Sequence, residues 1–301
     1  MNMRNVDLLA LVVSEGSLTA AARAAGVSQP AVSQAMAALA REVDSPLFQR
    51  RGRQLLPTDR ALALARAARS LATAHRQFSL ASGVVTDDLH PTVLRAGLAP
   101  AAGLMYGPSL VQAVREDSAD TLLSISSGPA SHLLEQLVRG EFDFVIAPRP
   151  RGLRSPGLLH RVMYISHPVI YARSGHPLAD VRMLSDIAQA HWAVAGSAGT
   201  PSNVVEEAFR VRRWAPPHVA VQCADYPMLV HIVANTDLLG VVSHPTLVPD
   251  PQQHGIVPIR VAEGLPHYEV CLFWYASDAR RWPTGMASAL ARLEAEARAN
   301  A

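Results

Sequence analysis

Ser14-Glu15-Gly16-Ser17-Leu18-Thr19-Ala20-Ala21-Ala22, followed by Val27-Ser28-Gln29-Pro30-Ala31-Val32-Ser33-Gln34, is the stretch on which the reading of this chain turns. Ahead of it, Val6, Leu9, Ala10 and Val13 recur at helical spacing and predict a first helix over about Met3–Ser14, broken by Glu15-Gly16. Ser17 is a good N-cap for a short alanine-rich helix, Leu18–Ala25, which Gly26 ends by adopting a left-handed conformation at little cost. Ser28 caps a third helix, about Gln29–Glu42, with Pro30 in its first turn, where a missing N–H does no harm. Val32, Met36 and Leu39 form its inner face. Two helices joined by a tight glycine turn place the second in the major groove of DNA. The exposed residues near its start, Gln29, Ser33 and Gln34, carry polar groups able to read base edges, and glutamine suits adenine. Further on, Leu47-Phe48 and Leu55-Leu56 predict two short strands around Arg50-Arg51-Gly52-Arg53. An arginine-rich hairpin tip of this kind suits phosphate or minor-groove contact.

Charge and composition agree with a polyanion partner for this segment alone. Residues 1–80 carry ten arginines against five acids, a local net of +5, while the rest carries a net of −3, so the formal +2 hides a basic head on a slightly acidic body. The chain has no lysine. At 301 residues and 49% hydrophobic it is long enough for two or more domains with real cores. No apolar run approaches the roughly 18 residues of a membrane span, and no export signal is visible. Cys223 and Cys271 cannot form a disulfide framework. A cytoplasmic location with no membrane partner is expected.

Taken with Pro46-Leu47-Phe48-Gln49-Arg50, these stretches resemble the LysR-type transcriptional regulators in order and spacing, and the overall length and layout extend the resemblance across essentially the whole chain. Ala37 and Ala38 stand where that family often has a basic residue, and Asp44 where it commonly has glycine. Promoter double-stranded DNA is the partner implied, with RNA polymerase admitted as another. The expected DNA contacts are Ser28, Gln29, Pro30, Ser33, Gln34, Arg50, Arg51 and Arg53. The winged helix-turn-helix is expected over residues 1–58.

A continuous alanine- and leucine-rich helical pattern follows from Thr58 to about Ser82, with Arg60, Arg66, Arg69 and Arg76 on its polar side and Leu62, Ala65, Leu71 and Phe78 on its apolar side. Such a stripe must be buried against something, most simply a symmetry mate. The resemblance implies that this helix pairs antiparallel to dimerise the heads, in a homodimer or homotetramer. The linker and hinge are expected over residues 59–90.

From Pro91 onward, strand-like segments (Thr92–Leu98, Thr121–Ser126, Phe142–Ala147, Trp192–Ala195, Val219–Gln222, Leu238–Val242) alternate with helix-like ones (Leu104–Arg115, Ser131–Arg139, Asn203–Arg213, Pro227–Ala234). This alternation predicts an α/β architecture with largely parallel sheets. Leu159–Arg173 and His267–Ala276 are candidates to cross between lobes. The resemblance implies a type-2 periplasmic-binding-protein-like effector domain over 91–301, with lobe I about 91–162 and 267–301 and lobe II about 163–266. Ligands in such sheets bind beyond the carboxyl ends of strands, where helix N-termini present N–H groups. The loops at Leu98, Ala99 and Pro100, at Ser126, Ser127 and Gly128, at Thr200 and Ser202, and at Asp225 are therefore the expected effector contacts, with Arg149 as a charge partner. They favour a small organic acid. A loose likeness of Arg173-Ser174-Gly175-His176-Pro177-Leu178 to regulators of aromatic-acid and sugar-acid catabolism points the same way.

Catalytic motifs are not found. Gly196-Ser197-Ala198-Gly199 lacks the spacing of a nucleophile elbow, and neither a P-loop nor a dinucleotide glycine pattern occurs, so no cofactor is expected. His160, His167 and His176 are the densest histidine group, at spacings that match no metal pair. The alternative reading is a thiol redox sensor using Cys223, which would need a lowered pKa, access and a resolving partner. Cys271, in the apolar run Val270-Cys271-Leu272-Phe273, is expected to be buried and inert.

Overall fold

Capping side chains set the helix starts in the N-terminal segment. α1 (Met3–Glu15) begins behind Asn2, whose side chain accepts from the Arg4 N–H, and stops at Gly16 with φ 67°. α2 (Leu18–Ala24) starts behind Ser17, whose Oγ accepts from Ala20 N–H at 3.1 Å. α3 (Gln29–Glu42) starts behind Ser28, whose Oγ accepts from Ala31 N–H at 3.4 Å. β1 (Phe48–Arg51) and β2 (Gln54–Pro57) pair antiparallel as a wing, with Phe48 opposite Pro57. Thr58 joins the wing to the next helix, α4 (residues 59–68): its Oγ1 donates to Pro46 O at 2.9 Å and accepts from Ala61 N–H at 3.2 Å. The computed structural model describes residues 2–51, 54–68, 92–117, 121–153 and 155–275.

Leu9, Val12, Ala21, Val32, Leu39 and Leu47 make the core of this head, closed by Ala61, Leu62, Ala65 and Ala68 of α4. The expected linker stripe is corrected at its start. Leu62 and Ala65 need no symmetry mate, because the head itself buries them. Leu71 and Phe78, with Arg69 and Arg76, lie outside the described residues. Arg66 is not simply solvated: its guanidinium donates to Val138 O at 2.6 Å and lies 4.1 Å from the Tyr275 ring centroid, tying α4 to the next domain.

Strands and helices then alternate as β3 (Thr92–Leu98), α5 (Pro100–Asp117), β4 (Thr121–Ser127), α6 (Ala130–Val138), β5 (Phe144–Pro148) and β6 (Leu158–Ile165). The run continues with β7 (Val169–Arg173), β8 (His191–Val194), α7 (Val204–Val211), β9 (His218–Gln222), α8 (Tyr226–Ala234), β10 (Leu239–Val242) and β11 (Ile256–Ile259), and β12 (Glu269–Tyr275) follows. Two five-stranded sheets result, ordered β4-β3-β5-β12-β6 and β11-β7-β10-β8-β9. In the first, β3 runs parallel to β4 and β5, and β12 runs against β5 and β6. In the second, β8 runs parallel to β9 and β10, and β7 runs against β10 and β11. The sheets are thus mixed, each with its one reversed strand next to the edge.

Those reversed strands, β7 and β12, are the ones reached by the two connections between lobes, at 166–168 and 260–268. The connections bind each other: Ser166 N–H donates to Tyr268 O at 2.8 Å, and Tyr268 N–H to Ser166 Oγ at 2.9 Å. β11 is absent from the sequence expectation because Pro258 interrupts its pattern. It sits at a sheet edge, where proline is tolerated.

Each sheet is covered on both faces. In lobe I, Tyr106, Leu110 and Val114 of α5 pack on Leu94, Phe144 and Ile146, while Leu133, Leu134 and Leu137 of α6 pack on Val145, Ala147 and Phe273. In lobe II, Val205, Ala208 and Phe209 of α7 cover Trp192, Val194 and Val241, while Leu229 and Val233 of α8 cover Ala193 and Val242. Among the described residues, no single helix is long and apolar enough to cross a membrane.

Candidate functional site

On α3, the burial of Val32, Ala35, Met36 and Leu39 turns the opposite face outward, and Gln29, Pro30, Ser33 and Gln34 are all exposed there. Ser28 is also exposed, with its hydroxyl engaged as the cap. Arg50 and Arg51 fall in β1, while Arg53 lies outside the described residues. An exposed polar helix face beside a short antiparallel wing is the geometry that enters a major groove and straddles the flanking phosphates. Just beyond α3, Asp44 has φ 46°, so the position where glycine is common does require a left-handed backbone.

A cleft of about 250 Å³ opens between the two lobes. Five expected contacts line it: Ala99 and Pro100 at the start of α5, Gly128 before α6, and Thr200 and Ser202 before α7. Five others are placed differently. Leu98, the last residue of β3, is fully buried in the lobe I core. Ser126 and Ser127 are exposed at the end of the edge strand β4. Arg149 donates to Glu269 at 2.8 Å and borders a separate recess. Asp225 caps α8, accepting from Met228 N–H at 2.7 Å.

Sequence reasoning missed the cleft floor, where Tyr164 of β6, Tyr226 of α8 and Tyr268 of the second connection meet. Its components come from three separate parts of the chain, spread over about 100 residues, and only the crossing topology brings them together. Burial pushes the Tyr164 and Tyr268 hydroxyls well above the usual phenol value, and that of Tyr226 upward, so all three stay protonated donors at neutral pH. At the rim, Arg151 of lobe I pairs with Glu207 of α7 in lobe II at 2.6 Å. Hydrogen bonds from Arg210, and then from Arg151, hold the Glu207 carboxyl down at about 2. This ion pair is a bond across the cleft mouth.

The histidines regroup as well. His160 stacks against Phe273, and His176 bonds within its own turn, accepting from Leu178 N–H at 3.0 Å. His167 instead meets His267 and His244, at ring separations of 5.0 and 5.7 Å, beside the paired connections. Among the described residues no group of His, Cys, Asp or Glu is placed to hold a metal ion. Cys271 is fully buried, and its thiol is pushed up to about 11, chiefly by burial. Cys223 is half-buried beside Asp225 in the other lobe.

Comparison with known proteins matches both parts of the chain. The model described as the bacterial regulatory helix-turn-helix protein, lysR family, matches residues 3–62, and that of the LysR substrate binding domain matches residues 88–284. The regulator GbpR of Rhizobium radiobacter is 26% identical over 80% of this chain and 81% of its own. GalR of Pseudomonas putida is 27% identical over 74% of this chain and 56% of its own. The chain spans about half the length of most of the curated relatives it matches. Among solved structures, full-length LysG from Corynebacterium glutamicum with bound effector Arg superposes with a TM-score of 0.72 at 17% identity, covering 98% of this chain and 99% of that one. The head, the two matched lobes and both family models agree: the chain belongs to the LysR-type transcriptional regulators.

Proposed function

We propose that this regulator binds promoter DNA as a dimer or tetramer in the cytoplasm, switched by a small organic acid held between the two lobes, without catalysing a reaction. Gln29, Ser33 and Gln34 read bases, and the wing arginines Arg50, Arg51 and Arg53 hold phosphates. One observation carries the reading: a cleft roofed by helix starts from both lobes is joined, through Arg66 on α4, to a head with an exposed polar recognition face. A ligand that prefers one lobe arrangement shifts that equilibrium. Lobe I passes the shift to α4, and thereby to the spacing of paired heads and to contact with RNA polymerase.

Selection of bound sequences from a random duplex pool tests the first half. Gln34→Ala relaxes preference at one position in each half-site, at about 1–3 kcal/mol per lost contact, and leaves non-specific affinity intact. Uniform loss of binding to every sequence would remove Gln34 from base reading. The redox alternative through Cys223 finds no resolving partner in Cys271, which is buried in the other lobe.

A further inference from the structure

The carboxyl end of α6 closes on a residue of the head. A helix leaves its last four carbonyls without partners inside it. The turn that follows α6 meets three of them. Arg139 N–H donates to Glu135 O at 3.0 Å, Glu141 N–H to Gln136 O at 2.9 Å, and Gly140 N–H, at φ 73°, to Leu137 O at 2.9 Å. The fourth, Val138 O, accepts instead from Arg66 Nη1 of α4 at 2.6 Å. Arg66 thus completes the cap of a helix in another domain, and its positive charge stands where the helix dipole is negative.

Two further contacts hold the same end. The half-buried Val138 side chain packs against the head core, together with Leu64 of α4. The Tyr275 ring under the Arg66 guanidinium shares one core cluster with Leu133, Leu134 and Leu137 of α6, and its hydroxyl is fixed 2.9 Å from Ser155 Oγ. The opposite end of α6 lies at the cleft, which Pro129, Ala130 and Ser131 all line. The nine residues of α6 span only about 13 Å, and a helix is stiff along its axis, so displacing one end moves the other.

We propose that α6 is the element that carries cleft occupancy to the DNA-binding head, with Arg66 as the positioning residue at the junction. Filling the cleft shifts the first turn of α6, Val138 O moves against the Arg66 guanidinium, and α4 is re-seated. The coupling is reciprocal, so a head fixed on DNA also sets α6 and the cleft. This route rests on the cleft being the site that switches the regulator.

A tethered occupant tests the route without a known effector. Ser131 is exposed in the cleft, so Ser131→Cys in the full-length Cys223→Ser protein is alkylated with N-ethylmaleimide, to completion by mass, while Cys271 is fully buried. Hydrogen exchange of the α4 amides, residues 60–68, is read with and without the adduct, alongside the footprint on the upstream promoter region. The adduct changes α4 exchange by about fivefold or more. Arg66→Ala removes that response while the head still folds, because Ala61, Leu62, Ala65 and Ala68 are what α4 contributes to the head core. Arg66→Lys, which keeps a donor for Val138 O, restores part of it. A merely structural Arg66 would change exchange equally with and without the adduct, and that result would overturn the proposal. An adduct that shifts the footprint as strongly in Arg66→Ala as in its parent would overturn the α6 route and leave the cleft reading standing. An adduct that alters neither exchange nor footprint would overturn both.

Discussion

Two glycines in the lip of lobe II, three residues apart, separate two ways of disturbing the cleft. A Cβ on Gly196 would lie 2.4 Å from Asn203 N and 2.5 Å from Ser202 C, both backbone atoms that cannot rotate away. To restore ordinary contact, the loop from 197 to 203 must open by about 1 Å. That movement strains the Asn203 cap on α7, of order 1 kcal/mol, and the Asn203 N–H bond to Thr200 O, of similar size. Gly196→Ala therefore destabilises lobe II by about 2–3 kcal/mol and displaces Thr200 and Ser202 from the cleft.

Gly199→Ala is the control. Nothing lies within 4 Å of a Cβ there, and φ is 73°, so the cost is a conformational one of about 1 kcal/mol with the loop in place. Hydrogen exchange of lobe II amides reads the two costs, and effector titration reads the lip. The separately packed head should bind DNA normally in both variants. Protection of lobe II in Gly196→Ala equal to that in Gly199→Ala, with effector affinity retained, would refute this steric assignment.

Three further outcomes follow from particular residues. Asp44→Gly relieves a left-handed backbone and stabilises the head by roughly 0.5–1 kcal/mol, visible as a higher denaturation midpoint; a lower midpoint would mean that the Asp44 side chain does more than tolerate its φ. Burial, and then His167, lower the pKa of His244, so the unfolded state binds the extra proton first. Stability accordingly falls as pH drops below about 6.5, and His244→Phe flattens that dependence in urea titrations at pH 5.5 and 7.5; an unchanged slope would assign it elsewhere. Cys223→Ser leaves both effector response and DNA binding intact under oxidant and reductant alike, and loss of signalling only under oxidant would revive the thiol reading.

Local chemistry was legible in the sequence where the signal is itself local. Ser17, Gly26 and Ser28 fix the helix-turn-helix within a few residues of chain, and α3 has the bounds that capping and periodicity give it. The alternating segments of the two lobes were legible for the same reason. What was not legible depends on where strands pair. Loop position alone put Ser126, Ser127 and Asp225 in the cleft, yet β4 is an edge strand and Asp225 turns back on its own helix. Arg149 and Arg151 are two residues apart on one turn, and only the register of β12 decides that the first meets Glu269. The tyrosine floor and the cluster of His167, His244 and His267 arise from two chain connections lying side by side, which periodicity cannot report.

In the proposed mechanism, ligand in the cleft changes how paired heads sit on DNA. The most direct measurement is a protection footprint on the protein's own upstream promoter region, with and without a small organic acid found to bind the cleft. Two protected half-sites are expected, whose outer boundary or bend shifts with ligand while the midpoint of binding moves little. An identical footprint in both conditions, at saturating ligand, would contradict it.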